Sequence, residues 1–313
     1  SLYLLYTHPN CHETRAYMIK CVAIFLVSIS TLSACSEGEN PPSAPADFAD
    51  YVTIGKSVNT RQERSGELQL LNTVFFAEVF QTKEAVDAGG MITNTTLTGA
   101  GNAQDGLSLS DEMTPYLTGA RTSTIEELDR IFPDSTYYFN FNTPNGNIRQ
   151  LPARFTRNAG ESLNPGPITL SLTQGGIIAN PNAVDPNQDL VVSWSSFEKG
   201  AADPDNIIDD MIYAMFGNCM GVETVHSGHA FDEGALTYVE SDFTIPASAL
   251  HAGQSSMLEV EHSNMETDVV KGIEIIVTYA ASTFLDIQIT GENVQNLSCP
   301  SVPYAFDGGA SDR

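Results

Sequence analysis

Residues 190–197 read Leu190-Val191-Val192-Ser193-Trp194-Ser195-Ser196-Phe197, a β-branched run that holds the chain's single tryptophan. An indole turned inward from such a run can anchor two facing sheets. The same kind of run recurs on both sides of it. Strands are predicted at 168–172, 176–179, 190–197, 206–216, 235–240, 243–245, 256–262, 273–279 and 284–289, separated by Gly, Pro, Asn and Asp. Alternation is clean near the end, where Leu258, Val260 and His262 share one face and Glu259, Glu261 and Ser263 the other. Short runs at this spacing, with almost no helical periodicity, predict an immunoglobulin-like or fibronectin-like β-sandwich over 168–290.

Residues 51–156 predict a second, N-terminal β-sandwich domain. Tyr51-Val52-Thr53-Ile54 starts it, and Leu68 to Phe80 (LQLLNTVFFAEVF) is one long strand or a hairpin. Residues 88–106 hold the Gly, Thr and Asn of turns and edge strands. Tyr137 to Phe141 precedes Thr143-Pro144-Asn145-Gly146, and Asn-Gly is a hairpin signal. One short helix is expected. Thr124 with Glu127 makes a capping box, Ile125, Leu128, Ile131 and Phe132 form an apolar face, and Pro133 stops it. Residues 157–167 (RNAGESLNPGP) are the expected linker and 291–313 a C-terminal tail. The fold class is therefore all-β, two sandwiches with one helix.

The 313 residues carry 39 acidic and 14 basic side chains, a net charge of −25. So little positive charge argues against nucleic acid as a partner. An acidic, Lys-poor surface stays soluble at high ionic strength, which suits an extracellular or saline setting. The 24 Gly and 16 Pro disfavour coiled coils, while 42% hydrophobic residues suffice for a core.

The N-terminal region carries an address. Met18-Ile19-Lys20 is a basic start, and Cys21 to Leu32 (CVAIFLVSISTL) is apolar. As a helix that run rises about 18 Å, short of the roughly 30 Å needed to span a bilayer, so it reads as a secretory signal. Its ending, Leu32-Ser33-Ala34-Cys35, resembles the lipobox of bacterial lipoproteins. The resemblance implies cleavage before Cys35, a diacylglycerol on its thiol and a fatty acyl group such as palmitate on its amine. With Ser36 following, it further implies an outer-membrane address, on the periplasmic or the cell-surface face. Residues 1–17 are expected to be an upstream extension, 18–34 the signal peptide, and 35–50 the acylated Cys35 with a solvated Pro- and acid-rich tether.

A second resemblance rests on Ser123-Thr124-Ile125-Glu126-Glu127-Leu128-Asp129, Phe132-Pro133, Tyr137-Tyr138-Phe139, Asn180-Pro181-Asn182, Val191-Val192-Ser193-Trp194 and Phe243-Thr244-Ile245-Pro246-Ala247. This order is similar to that in uncharacterised exported β-sandwich proteins of environmental bacteria. It implies fold and surface location and brings no catalytic residues.

Candidate chemistry is sparse. Once Cys35 is acylated, Cys219 and Cys299 remain as an even pair, read as a disulfide in an oxidising compartment. His226 and His229, three apart with Asp232 and Glu233 behind them, are candidate metal ligands. Asp185 and Asp189, and Asp203, Asp205 and Asp209, offer hard oxygens of the kind Ca²⁺ takes, without the EF-hand spacing. No resident cofactor is expected beyond calcium as a candidate. Tyr137, Tyr138 and Phe139 could stack on a sugar. The sequence has no nucleophile elbow, zinc-protease helix, phosphate loop or dinucleotide fingerprint.

The expected function is a non-catalytic surface lipoprotein, held in the membrane by its lipid, whose sandwiches present loops for adhesion or for binding a polysaccharide or an envelope or surface protein. Alternatives are a secreted polysaccharide-active hydrolase or its accessory domain, and a structural envelope component.

Overall fold

A computed structural model describes residues 45–110, 114–156, 164–219, 223–292 and 299. The expected upstream extension, signal, Cys35 and most of the tether and C-terminal tail lie outside the described residues. In chain order the strands are β1 (Ala49–Gln62), β2 (Leu68–Gln81), β3 (Thr93–Thr98), β4 (Leu107–Ser108), β5 (Tyr116–Thr122), β6 (Thr136–Thr143), β7 (Gly146–Arg154) and β8 (Leu170–Gln174). They continue as β9 (Ile177–Ile178), β10 (Leu190–Trp194), β11 (Met211–Asn218), β12 (Glu223–His226), β13 (Leu236–Thr237), β14 (Asp242–Ile245), β15 (Ser255–Val270) and β16 (Ile273–Gln288). Two helices are short, α1 (Lys83–Asp87) and α2 (Ile125–Ile131). The protein is all-β, as the runs of β-branched and aromatic residues predict.

The strands form one large sheet and two small ones. The large sheet has the order β12-β11-β15-β16-β1-β2-β5, with β13 also on β11. The small sheets are β4-β3-β6-β7 and β14-β10-β8-β9. Side chains alternate along β16, so its odd-numbered residues share a face. Ile273, Ile275, Val277 and Tyr279 pack with Leu97, Phe139, Phe141 and Leu151 of the first small sheet. Farther along that face, Leu285 and Ile287 pack with Leu170, Leu172, Leu190 and Val192 of the second. Both small sheets thus cover the same side of the large one.

This arrangement differs from two separate sandwiches. The large sheet crosses the linker expected at 157–167, taking β1, β2 and β5 from before it and β11, β12, β15 and β16 from after it. The reason is β1, which pairs antiparallel with β2 on one side and parallel with β16 on the other, from Tyr51↔Glu274 to Gln62↔Leu285. Side chains reinforce the join. The Gln62 amide donates to the Leu170 carbonyl at 2.9 Å and accepts from the Leu170 N–H at 2.7 Å, doing the work of a ladder pair. Asn164 Nδ2 donates to the carbonyls of both Lys56 and Ala280 at 2.9 Å.

Local signals hold in detail. Leu68 to Phe80 lies in a single strand, and the Asn145-Gly146 hairpin closes with Thr143 opposite Gly146. Thr124 Oγ1 accepts from the Glu127 N–H at 3.2 Å, and Glu127 Oε2 accepts from the Ser123 N–H at 3.4 Å. The reciprocal half of the capping box therefore reaches one residue before the cap. Leu128 and Phe132 are buried, with Phe132 stacked on Phe75 at 4.0 Å. Trp194 is buried in the second core, and its Nε1 donates to the Glu240 carbonyl at 3.2 Å. Runs 273–279 and 284–288 are one strand, and Ile289 beyond it bridges to Val184. The strand forms a hairpin with β15 through Lys271 and Gly272, at φ 57° and 80°, the pair of positive φ values a type I′ turn needs.

An acid-lined cavity as the candidate functional site

The other face of the large sheet builds the candidate site. Its residues are those that alternate with the core set. Thr53 and Tyr51 come from β1, Phe76, Glu78 and Phe80 from β2, Met211, Tyr213 and Met215 from β11, Glu259 and Glu261 from β15, and Ile276 and Thr278 from β16. Strands far apart in the sheet meet across this face. Glu78 of β2 feels the charge of Glu223 of β12, and the Phe80 ring lies 5.7 Å from that of His229. The sheet is therefore curled. The loop after β12 laps over its β1 end, where Phe231 meets Tyr51 edge-on at 5.5 Å. A cavity of about 460 Å³ remains inside the curl, within the range of small-molecule sites.

The interior is polar where a sandwich core would be apolar. Asn59 Nδ2 donates to Asn72 Oδ1 at 2.9 Å, and Ser57 Oγ donates to Asn59 Oδ1 at 3.0 Å. Ser57 and Ser282 hydroxyls stand 3.5 Å apart, and Ser282 donates to Glu261 Oε2 at 2.8 Å. Ser263 donates to Glu261 Oε1 at 2.6 Å, so each Glu261 oxygen has a serine donor. Tyr213 donates its hydroxyl to Glu223 Oε1 at 2.7 Å. Thr278 is 4% exposed, and its Oγ1 has no hydrogen-bond partner.

Burial governs the acids. Glu259 is 3% exposed, and loss of water, with Glu261 as the nearest like charge, holds its pKa well above the ordinary carboxylate range. Burial also raises Glu261, opposed by its two serine donors. Glu78 is pushed up to about 8 by burial and then by the charge of Glu223. Burial raises the hydroxyls of Tyr51, Tyr116 and Tyr213 as well. None of the described lining residues is Lys or Arg.

The residues singled out in the sequence lie elsewhere or at the rim. Cys219 and Cys299 are bonded, Cα–Cα 4.7 Å, and pack with Met215, Met257 and Phe284 at one end of the concave face. His229 lines the cavity, while His226 lies beside it at 4.8 Å between ring centroids. The loop aspartates serve their own turns. Asp185 Oδ1 accepts from the Asn187 N–H, and Asp189 Oδ1 from the Ala247 N–H. Asp203 accepts from the N–H groups of Asp205, Ile207 and Ile208, and Asp209 from that of Asp203. Among the described residues no group of three or more His, Cys, Asp or Glu is set to hold a metal ion. Tyr137 and Phe139 are fully buried in the first core, where they pack and cannot stack on a sugar, while Tyr138 between them is exposed.

Sequence reasoning passed over Glu78, Glu259 and Glu261. The available signal was Glu78 as the lone charge in LQLLNTVFFAEVF and the two acids alternating with apolar residues on β15. Fold and site together define an all-β protein with a ligand-sized, acid- and aromatic-lined cavity. Neither a scan against family models nor a search of the curated proteins finds a match to this chain.

Proposed function

We propose that this is a non-catalytic, lipid-anchored exported protein of the bacterial outer membrane that binds its ligand in the cavity of the curled sheet. The observation that carries the reading is the cavity itself. Four carboxyls, those of Glu78, Glu223, Glu259 and Glu261, face it together with tyrosines and phenylalanines, on a sheet face that an ordinary sandwich leaves to water. Such a mixture of apolar walls and a few convergent polar groups is the usual make-up of a small-molecule site. The lipobox at Leu32-Ser33-Ala34-Cys35 supports the anchor, and the acidic tether supports display away from the membrane. The immunoglobulin-like or fibronectin-like character of the two lobes belongs to this reading, each lobe being two β layers that share the large sheet.

A second reading, a polysaccharide-active hydrolase, is favoured by one observation: buried, proton-holding acids next to aromatic rings are also what glycoside cleavage employs. One experiment separates the two. Soluble chain from residue 36 onward is incubated with polysaccharides and envelope proteins, and retention and product mass are read together. Retention without new products supports the binding reading. New oligosaccharides overturn it in favour of the hydrolase.

A further inference from the structure

The cavity has a charge problem that its own residues do not solve. Glu78 enters from β2, Glu259 and Glu261 from β15, and Glu223 closes in from β12, near enough to act on both Glu78 and Glu259. The described lining residues that face them from other elements add no permanent cation. β1 supplies Tyr51, β5 supplies Tyr116, β11 supplies Tyr213, and β16 supplies the hydroxyls of Thr278 and Ser282. The loop after β12 supplies His229, whose Nδ1 lies 3.5 Å from Asp232. Asp50 stands at the same end and is itself pushed up by burial and then by the charge of Asp232. Arg121 of β5 acts on Tyr116 but is not among the described lining residues.

A second, independent feature points to a missing partner. Thr278 is 96% buried in the cavity wall, with an oxygen that no donor reaches. Leaving a buried polar atom unpaired is costly, and a ligand N–H answers it directly. The neighbouring surface suits the apolar part of such a ligand. Phe76, Met211, Met215 and Met265 line the same space, and Tyr51 and Phe80 stack at 4.2 Å. Aromatic faces attract cations through their quadrupole, more strongly when water is excluded.

We propose that the cavity binds a protonated organic amine, its ammonium group seated among Glu78, Glu259 and Glu261 and its carbon body against the aromatic and methionine side chains. This rests on the binding reading above and names the ligand's chemistry. An ammonium brings both the positive charge that these carboxyls lack and the N–H donors that carboxylate and hydroxyl oxygens accept. Binding is then an exchange: the amine enters charged, carboxyl protons leave to solvent, and no covalent bond changes.

The test uses the whole soluble chain and two matched pairs of probes, tyramine against its neutral isostere tyrosol, and 1,5-diaminopentane against 1,5-pentanediol. Calorimetry in two buffers of different ionisation enthalpy reads affinity and proton release between pH 6 and 8. At least one amine is expected to bind tenfold or more tightly than its isostere, to release protons, and to tighten by up to about tenfold per pH unit for each proton displaced. Glu259→Gln and Glu261→Gln are expected to weaken the amine at least tenfold, and by more than they weaken any tyrosol binding. Should either variant fail to fold, the isostere comparison and pH slope of the unaltered protein decide. Equal or tighter binding of the neutral probes, or amine binding without proton release, overturns the inference. Capture of a neutral oligosaccharide in the cavity with no amine preference overturns it but leaves the binding reading standing. If no probe and no member of the polysaccharide and protein panel binds, both fall.

Discussion

Val52 and Ile275 stand side by side in parallel register, the first of the described strands against the last. Val52 is fully buried and Ile275 nearly so, both within the core that also holds Leu97, Phe139 and Leu151. Every residue between 63 and 272 lies between these partners along the chain, so neither half of the protein can complete the first core alone.

A fragment covering residues 45–156 is therefore expected not to fold. It lacks Ile273, Ile275, Val277 and Tyr279, and it exposes the side of β1 that pairs with β16. Dispersed amide proton signals from that fragment, comparable with those of the whole chain, would show that the lobes are independent.

Lys56 is fully buried, with its Nζ 2.5 Å from Asp129 and 2.6 Å from Asp134 and its charge 5.2 Å from the centre of the Phe155 ring. Lys56→Ala takes the cation away from both acids and opens a void. Because the Asp129 side chain is 36% exposed, the loss belongs at the low end of the buried-pair range, about 3 kcal/mol. Urea midpoints check it, and Lys56→Met, which refills the volume, should recover only part of the loss.

The cavity acids set the alkaline limb of stability. A carboxyl whose folded pKa is raised favours the folded state fully below its unfolded value and loses that contribution as pH climbs through the folded one. For Glu78 the window runs from 4.5 to about 8. His262 acts oppositely at the acid end. Burial lowers it from 6.5 to about 4, so its contribution is complete above 6.5 and is lost as pH falls toward 4. Above pH 6.5 only the acids act, and the melting temperature should fall between pH 6.5 and 8. Glu78→Gln should make that limb shallower, and should leave stability unchanged in slope only below pH 4.5, outside the Glu78 window.

Reduction of Cys219–Cys299 frees a loop whose ends are 80 residues apart. On the chain-entropy model this costs at most about 4.5 kcal/mol. A mass gain of about two hydrogens on reduction, with a lower urea midpoint, is expected. An unchanged midpoint would mean that Met215, Met257 and Phe284 hold that end of the sheet without help.

The sequence was readable where the rule is local. Thr124 with Glu127, Asn145-Gly146, the inward Trp194 and the long β2 all follow from neighbours a few residues apart. The partnership of β1 with β16 was not, because alternation says which side chains share a face and nothing about which strand lies alongside. The break expected inside 273–289 has a related cause. Ala280, Ala281, Ser282 and Thr283 show no contrast between faces, since one face meets the seam between the small sheets and the other meets the polar interior. Glu259 and Glu261 were legible as a shared face. Their burial was not, because it comes from the curl that brings β12 and its following loop across from β2.

The parallel pairing of β1 with β16 also has a mechanical meaning. β1 begins at Ala49 at the end of the ladder opposite to that where β16 finishes at Gln288. Tension applied to these two points pulls the strands lengthwise past each other. Every hydrogen bond from Tyr51↔Glu274 to Gln62↔Leu285 is then loaded in shear together, whereas a hairpin opens one rung at a time. Pulled at Ala49 and Gln288, the protein resists along the seam that β1 and β16 share.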